Sequence, residues 1–178
     1  MTTDSGPRSA TIAQLPDLKG TTFDPGPWIL VTQDMIDDFA DATHDHQWIH
    51  VDQDRAALGP FGTTIAHGYL TLSLLPRLVY GIIEISDARM TLNYGVNRVR
   101  FPSPVLEGAR LRGHMTVVDV DVRDDGSVLI TRDVVAEIEG SDRPACVAQM
   151  LSLSFPARAQ SRGSDNANGT ASNPHGLA

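Results

Sequence analysis

The chain carries a single cysteine, Cys146, which excludes an internal disulfide. In the strand-like run Ala145-Cys146-Val147 it reads as a small buried apolar side chain rather than a nucleophile. Long apolar runs are missing as well: none approaches the ~20 residues that a membrane-spanning helix needs. The start, Met1-Thr2-Thr3-Asp4-Ser5-Gly6-Pro7, has neither the basic residues nor the apolar stretch of a signal peptide, so a cytoplasmic protein is expected. Cations are scarce. Lys and Arg number 14 against 22 Asp and Glu, a formal charge of −8, which argues against broad nucleic-acid binding because phosphate neutralisation needs clustered positive charge. Neither a Walker-type loop nor a G-x-G-x-x-G is present. A single phosphate group needs only two or three local cations, and Arg98 and Arg100, alternating with Asn97 and Val99 before Phe101-Pro102, are candidates for that role. The competing reading of this pair is solvent-facing charge on a strand.

What is present fits one ordinary globular domain of α+β type, in 178 residues with 41% hydrophobic and 20% charged composition. Residues 1–18, rich in Gly, Pro, Ser and Thr, are expected to form a flexible arm, residues 19–156 the folded domain, and residues 157–178 a disordered tail whose only large apolar residue is Leu177. Thr32 can cap a helix through about Ala42, with Met35, Ile36, Phe39 and Ala40 on one apolar face. A short helical turn follows over about Gln53 to Leu58, broken by Gly59-Pro60. The stretch from about Gly68 to Tyr80 is apolar around most of its circumference and predicts a helix buried on several sides, kinked by Pro76. The rest reads as strands. Leu111, Met115 and Val117 begin one; Val128, Ile130, Val134, Ala136 and Ile138 share a parity interrupted by Arg132; and Ala145, Val147, Leu151, Leu153 and Phe155 share another. Asp124-Asp125-Gly126 and Ser141-Asp142-Arg143-Pro144 separate them as hairpin turns would.

The chemistry-bearing segment is Thr43-His44-Asp45-His46-Gln47-Trp48-Ile49-His50, followed by Phe61-Gly62 and Ile65-Ala66-His67-Gly68 at the start of the apolar helix. A carboxylate and an imidazole on one short loop can manage one water molecule between them, and a glycine at a helix start can present its N–H to a developing oxyanion. Blander readings exist for each residue. Asp45 could cap a turn, His50 could be a satisfied core histidine, Gly68 could serve only close packing, and His67 is expected to fix the helix start by hydrogen bonding rather than to react. His44, His46 and His50 with Asp45 and Asp52 could suggest a metal site, but their spacing matches no standard signature, and no metal is expected.

Phe39-Ala40, Thr43, Asp45, Ile49-His50, Asp52, Phe61-Gly62 and Ile65-Ala66-His67-Gly68 together resemble the MaoC-like hot-dog dehydratases, including the (R)-specific enoyl-CoA hydratases, over about residues 28–155. Two departures stand out. His44 replaces the family glycine before the aspartate, a position where left-handed backbone suits glycine, and Gln47-Trp48 replaces Asn-Pro. The resemblance implies a curved antiparallel sheet wrapped around a long central helix, with subunits joined edge to edge in at least a homodimer. It further implies catalysis by Asp45 and His50, with the Gly68 N–H facing the thioester oxygen. Trp48, Tyr69 and Leu72 are candidates for the acyl pocket, and Asn97, Arg98 and Arg100 for contacts to coenzyme A. No cofactor is implied, because the coenzyme A thioester is itself the substrate. The activity implied is reversible hydration of trans-2-enoyl-CoA to (R)-3-hydroxyacyl-CoA. Dehydration of 3-hydroxyacyl groups on acyl carrier protein, thioester hydrolysis on the same fold, and a non-catalytic acyl-thioester-binding subunit are the alternatives.

Overall fold

Thr32 opens the first helix as its side chain suggests. In the computed structural model, which describes residues 8–157, α1 covers Gln33–Thr43 and the Thr32 hydroxyl accepts the Met35 N–H at 3.3 Å. Ile36 and Ala40 are fully buried, and Met35 and Phe39 pack against the core. The helix stops at His44, whose backbone is left-handed (φ 59°, ψ 25°). This conformation costs a residue with a β-carbon roughly 1–2 kcal/mol, yet the turn keeps the shape that a glycine would give it. Two short helices follow, α2 over Trp48–Val51 and α3 over Gln53–Ala57, the latter capped by Asp52, which accepts the Arg55 N–H at 3.0 Å. The long helix α4 spans Gly68–Leu78, ending two residues earlier than expected and running on through Pro76 in its last turn. Leu70, Leu74, Leu75 and Leu78 are buried from several directions.

The strands are β1 (Arg8–Ala10), β2 (Ile29–Leu30), β3 (Ile83–Ile85), β4 (Ala88–Arg100), β5 (Arg110–Val122), β6 (Val128–Ile138) and β7 (Cys146–Pro156). Five form one antiparallel sheet in the order β2-β5-β6-β7-β4, and α4 lies against β5, β6 and β7. Leu111, Met115 and Val117 from β5 and Val128, Ile130, Val134 and Ala136 from β6 meet α4 in one core. The hairpin between β5 and β6 turns at Gly126 (φ 77°), and the Asp125 carboxylate accepts the Ser127 N–H at 2.9 Å. Among the described residues no helix is long and apolar enough to cross a membrane.

Two expectations are corrected. The chain from Arg8 to Leu18 is not a loose arm: β1 pairs in parallel with β3, and a 3-10 helix over Ile12–Leu18 buries Leu15 to 1% exposure. Ile12, Leu15 and Leu18 recur every three residues, the period of a 3-10 helix, and so make one apolar row that the Gly, Pro and Ser content obscures. Residues 1–7 and the tail from 158 onward lie outside the described residues. In β7 the inward row is Cys146, Ala148, Met150, Ser152 and Ser154; of the expected row Ala145 and Leu153 are buried, but Val147, Leu151 and Phe155 are only half-buried. Both rows of β7 hold apolar residues, so parity could not choose the face. The inward serines are accommodated by Thr91, whose Oγ1 lies 2.9 Å from Ser154 Oγ, and by a cavity beside Ser152.

Candidate active site

Four pieces of chain converge: the loop after α1, the start of α2, the segment Thr64–His67, and the first turn of α4. Ligand-capable atoms of Asp45, His50 and His67 all lie within 4.8 Å of one another. His50 and His67 are 6% and 3% exposed, whereas the Asp45 side chain is 57% exposed, so a buried imidazole pair faces a carboxylate at the solvent boundary.

Backbone carbonyls set the tautomers. His50 Nδ1 lies 2.6 Å from the Ile65 carbonyl, which can only accept, so Nδ1 carries the proton and the neutral ring leaves a lone pair on Nε2. Burial lowers the His50 pKa, as does the nearby His67, while the Ile65 hydrogen bond and the Asp45 carboxylate oppose the fall. His67 hydrogen-bonds at the helix start as expected, though not by capping α4 with its side chain. Instead His67 Nε2 donates to the Asp45 main-chain carbonyl at 2.9 Å, tying the Asp45 loop to the helix start, and its Nδ1 has no partner. The two imidazoles stack with centroids 3.7 Å apart and planes 24° from parallel, and Phe39 covers the His67 ring at 5.1 Å.

Behind these side chains stands Gln33, which the sequence does not mark as a site residue. Gln33, in the first turn of α1, donates from Nε2 to the His50 carbonyl and to Asp37 Oδ1, each at 2.8 Å, while the buried Thr64 hydroxyl donates to Gln33 Oε1. Gln33 thereby fixes α2 against α1 and the Thr64 segment. Only Asp37 is a local partner, and the bonds that tie the site together reach residues 17 and 31 positions away.

Gly68, the first residue of α4, has an N–H with no acceptor inside the helix. A β-carbon there would meet the Phe101 ring at 3.0 Å, so glycine is needed for packing as well. Phe101 directly follows β4, whose end carries Asn97, Arg98 and Arg100. Asn97 donates to Gln149 Oε1 at 3.1 Å, Arg98 is left-handed (φ 53°) at an irregularity of the strand, and Arg100 donates only to the neighbouring Val99 carbonyl. Tyr69 is 71% exposed and sets its ring edge toward Phe101, and Leu72 lines a cavity beside β4. Trp48 packs under Arg55, whose guanidinium lies 4.4 Å from the ring centroid, and against Gly59.

The histidines of the loop do not assemble into a metal site. His44 is exposed at the end of α1, and His46 pairs with Asp41 at 2.8 Å. Asp45, His50 and His67 do supply three donor groups. Imidazole lone pairs lie in the ring plane, however, so two nearly parallel stacked rings send theirs side by side rather than toward one ion. Cys146 is fully buried, and burial pushes its thiol up to about 11, which removes it as a nucleophile.

The family profile described as MaoC like domain matches residues 15–138. The 3-hydroxyacyl-thioester dehydratase Z of Mycobacterium tuberculosis is 47% identical over 141 residues, 79% of this chain and 93% of that protein. Nodulation protein N of Rhizobium leguminosarum bv. viciae is 46% identical over 145 residues, 80% of this chain and 90% of that protein. Among solved structures, a monoamine oxidase regulatory protein from Archaeoglobus fulgius superposes with a TM-score of 0.68 at 23% identity, covering 85% of this chain and 99% of that one. The R-hydratase PhaJ1 of Pseudomonas aeruginosa gives 0.59 at 19% identity, covering 78% and 83%. These structural likenesses carry the hot-dog fold. With the family profile and two relatives aligned over most of their length, the chain belongs to the MaoC-like hydratase/dehydratase family.

Proposed function

We propose that this protein is an (R)-specific 2-enoyl-CoA hydratase that adds water reversibly to trans-2-enoyl-CoA. The observation that supports this best is the convergence of the Asp45 carboxylate and the His50 imidazole beside the start of α4. Conjugation with the thioester carbonyl makes Cβ electrophilic. The Asp45 carboxylate and the His50 Nε2 lone pair hold one water between them, its oxygen bonds to Cβ, and the pair takes one of its protons. The electron pair of the double bond moves onto the thioester oxygen as an enolate, which the Gly68 N–H and the positive end of the α4 dipole stabilise. A proton returned from the pair to Cα completes 3-hydroxyacyl-CoA, and the reverse sequence dehydrates it. No cofactor enters, because every proton is handled by the chain's own groups. The (R) configuration rests on likeness to the R-hydratases. Asn97, Arg98 and Arg100 lead into the Phe101 that covers Gly68, which suits them to the phosphates of coenzyme A.

A homodimer belongs to the same reading. β4 is a 13-residue edge strand with no partner on its outer side in the single chain, and its Met90, Leu92, Tyr94 and Val96 are exposed. Such an edge is stable in water only when paired or covered, and a second β4 fits it.

Loss of enoyl absorbance with crotonyl-CoA and a longer enoyl-CoA tests the activity. Asp45→Asn and His50→Gln are each expected to lower kcat by about 10²–10⁴-fold, the usual contribution of a positioned acid or base. Full activity in either variant refutes the site. Release of free thiol without formation of the 3-hydroxyacyl product would instead mark a thioesterase, and preference for carrier-protein thioesters would mark the dehydratase.

A further inference from the structure

Arg132 is the only charged side chain in the inward row of β6, set between Ile130 and Val134 and paired across the ladder with Met150. Its Nε is sealed from solvent and has no hydrogen-bond partner. The one hydrogen bond its guanidinium makes among the described residues is a weak one, from Nη1 to Met115 Sδ at 4.0 Å. Burial pushes its pKa below the ordinary value, with no neighbouring carboxylate to oppose the shift. Diagonally across the same face, Ser152 is 1% exposed, and its hydroxyl also lacks a partner. Two orphaned polar groups on one wall are a large cost in a core unless something pairs with them.

Both line a cavity of 560 Å³ bounded by Leu15 and Leu18 of the 3-10 helix, Val79 past the end of α4, and Ile85 of β3. That volume is in the range of small-molecule sites, and apart from Arg132 and Ser152 much of the wall is apolar. Glu84 also borders the cavity but is exposed and forms no ion pair with Arg132. A second cavity of 360 Å³ lies against Leu72 and Ser73 and shares Pro76, Asn93 and Met150 with the first, so the two adjoin. Leu72 is one helical turn from Gly68, and α4 is about 16 Å long, so the cavities run along the helix from one turn past Gly68 to its far end.

We propose that these adjoining cavities hold the acyl chain and that Arg132, with Ser152, receives a carboxylate at the chain's far end, so that the preferred substrates are ω-carboxylated 2-enoyl thioesters. The proposal rests on the hydratase reading above and names the substrate class of that site. A carboxylate fits better than a neutral acceptor because it supplies the counter-charge that the guanidinium lacks and pairs with it through two parallel hydrogen bonds. It fits better than a phosphate monoester because one cation and one hydroxyl match one negative charge, not nearly two. The apolar walls between Leu72 and Arg132 match the methylene chain that joins the two polar ends.

The test uses two enoyl-CoA substrates of equal length, one ending in a methyl group and one in a carboxylate, with the full-length protein, Arg132→Met and Arg132→Gln. The wild type is expected to favour the carboxylated substrate at least tenfold in kcat/KM, and each variant to bring that ratio toward one. A wild-type preference for the methyl-ended chain, or a preference that survives in whichever variant folds, overturns the proposal while leaving the hydratase intact. If the wild type hydrates neither substrate, the hydratase reading fails, and calorimetric binding of an α,ω-dicarboxylic acid against the monocarboxylic acid of equal length decides the cavity. A preference for the diacid that disappears in the Arg132 variants supports the proposal, and equal binding overturns it.

Discussion

The two catalytic candidates are both held through main-chain carbonyls, His50 by that of Ile65 and Asp45 by its own through His67. This arrangement makes His50 a pH-sensitive group with a defined sign. Its folded pKa lies below the ordinary 6.5, chiefly through burial, so the unfolded chain binds a proton at higher pH than the native one does. The stability it contributes is present above 6.5 and is lost as pH falls below that value toward the folded pKa. An NMR titration of the imidazole is expected to give a midpoint below 6.5, and Asp45→Asn to lower it further by removing a charge that favours the imidazolium. A midpoint above 6.5 would contradict the burial argument. Asp45 and His50 were legible in the sequence because five residues of loop and helix turn bring them together. The hydrogen-bonding role of His67 was legible too, but its partner was not, nor were the roles of Gln33 and Arg132, because these partners lie distant in the chain and in two cases are backbone atoms without sequence identity.

Among the elements, those set by a local signal match the reading: the Thr32 cap, the apolar face of α1, the turn at Gly126, and the all-round apolar α4. The misread ones lacked such a signal. β7 is apolar on both rows, and the 3-10 helix has too short a run to reveal a period against its composition. The junction of α4 with β5 was also invisible, and it depends on Gly113. A β-carbon there would lie 2.8 Å from the Leu78 carbonyl oxygen and 2.9 Å from Leu78 Cβ, in main chain that cannot easily retreat. Gly113→Ala is expected to cost about 1–3 kcal/mol, the usual penalty of overpacking, measured by denaturant unfolding. An unchanged midpoint would mean that the end of α4 yields freely.

For the whole molecule, the decisive surface is the β4 edge. Leu92→Lys with Tyr94→Lys places charge on that edge without entering the core, since both residues are about half exposed. Sedimentation is expected to show a dimer for the wild type and a monomer for this variant, whereas a monomeric wild type would leave the edge without its proposed partner. The N-terminal segment has a comparable reach. If the acyl chain lies in the larger cavity as proposed, Leu15 and Leu18 on its wall would be the stop of a ruler whose zero lies at the reacting carbon. Relatives that lengthened, trimmed or replaced those few residues would reset the longest chain they accept, leaving the proton-handling machinery untouched.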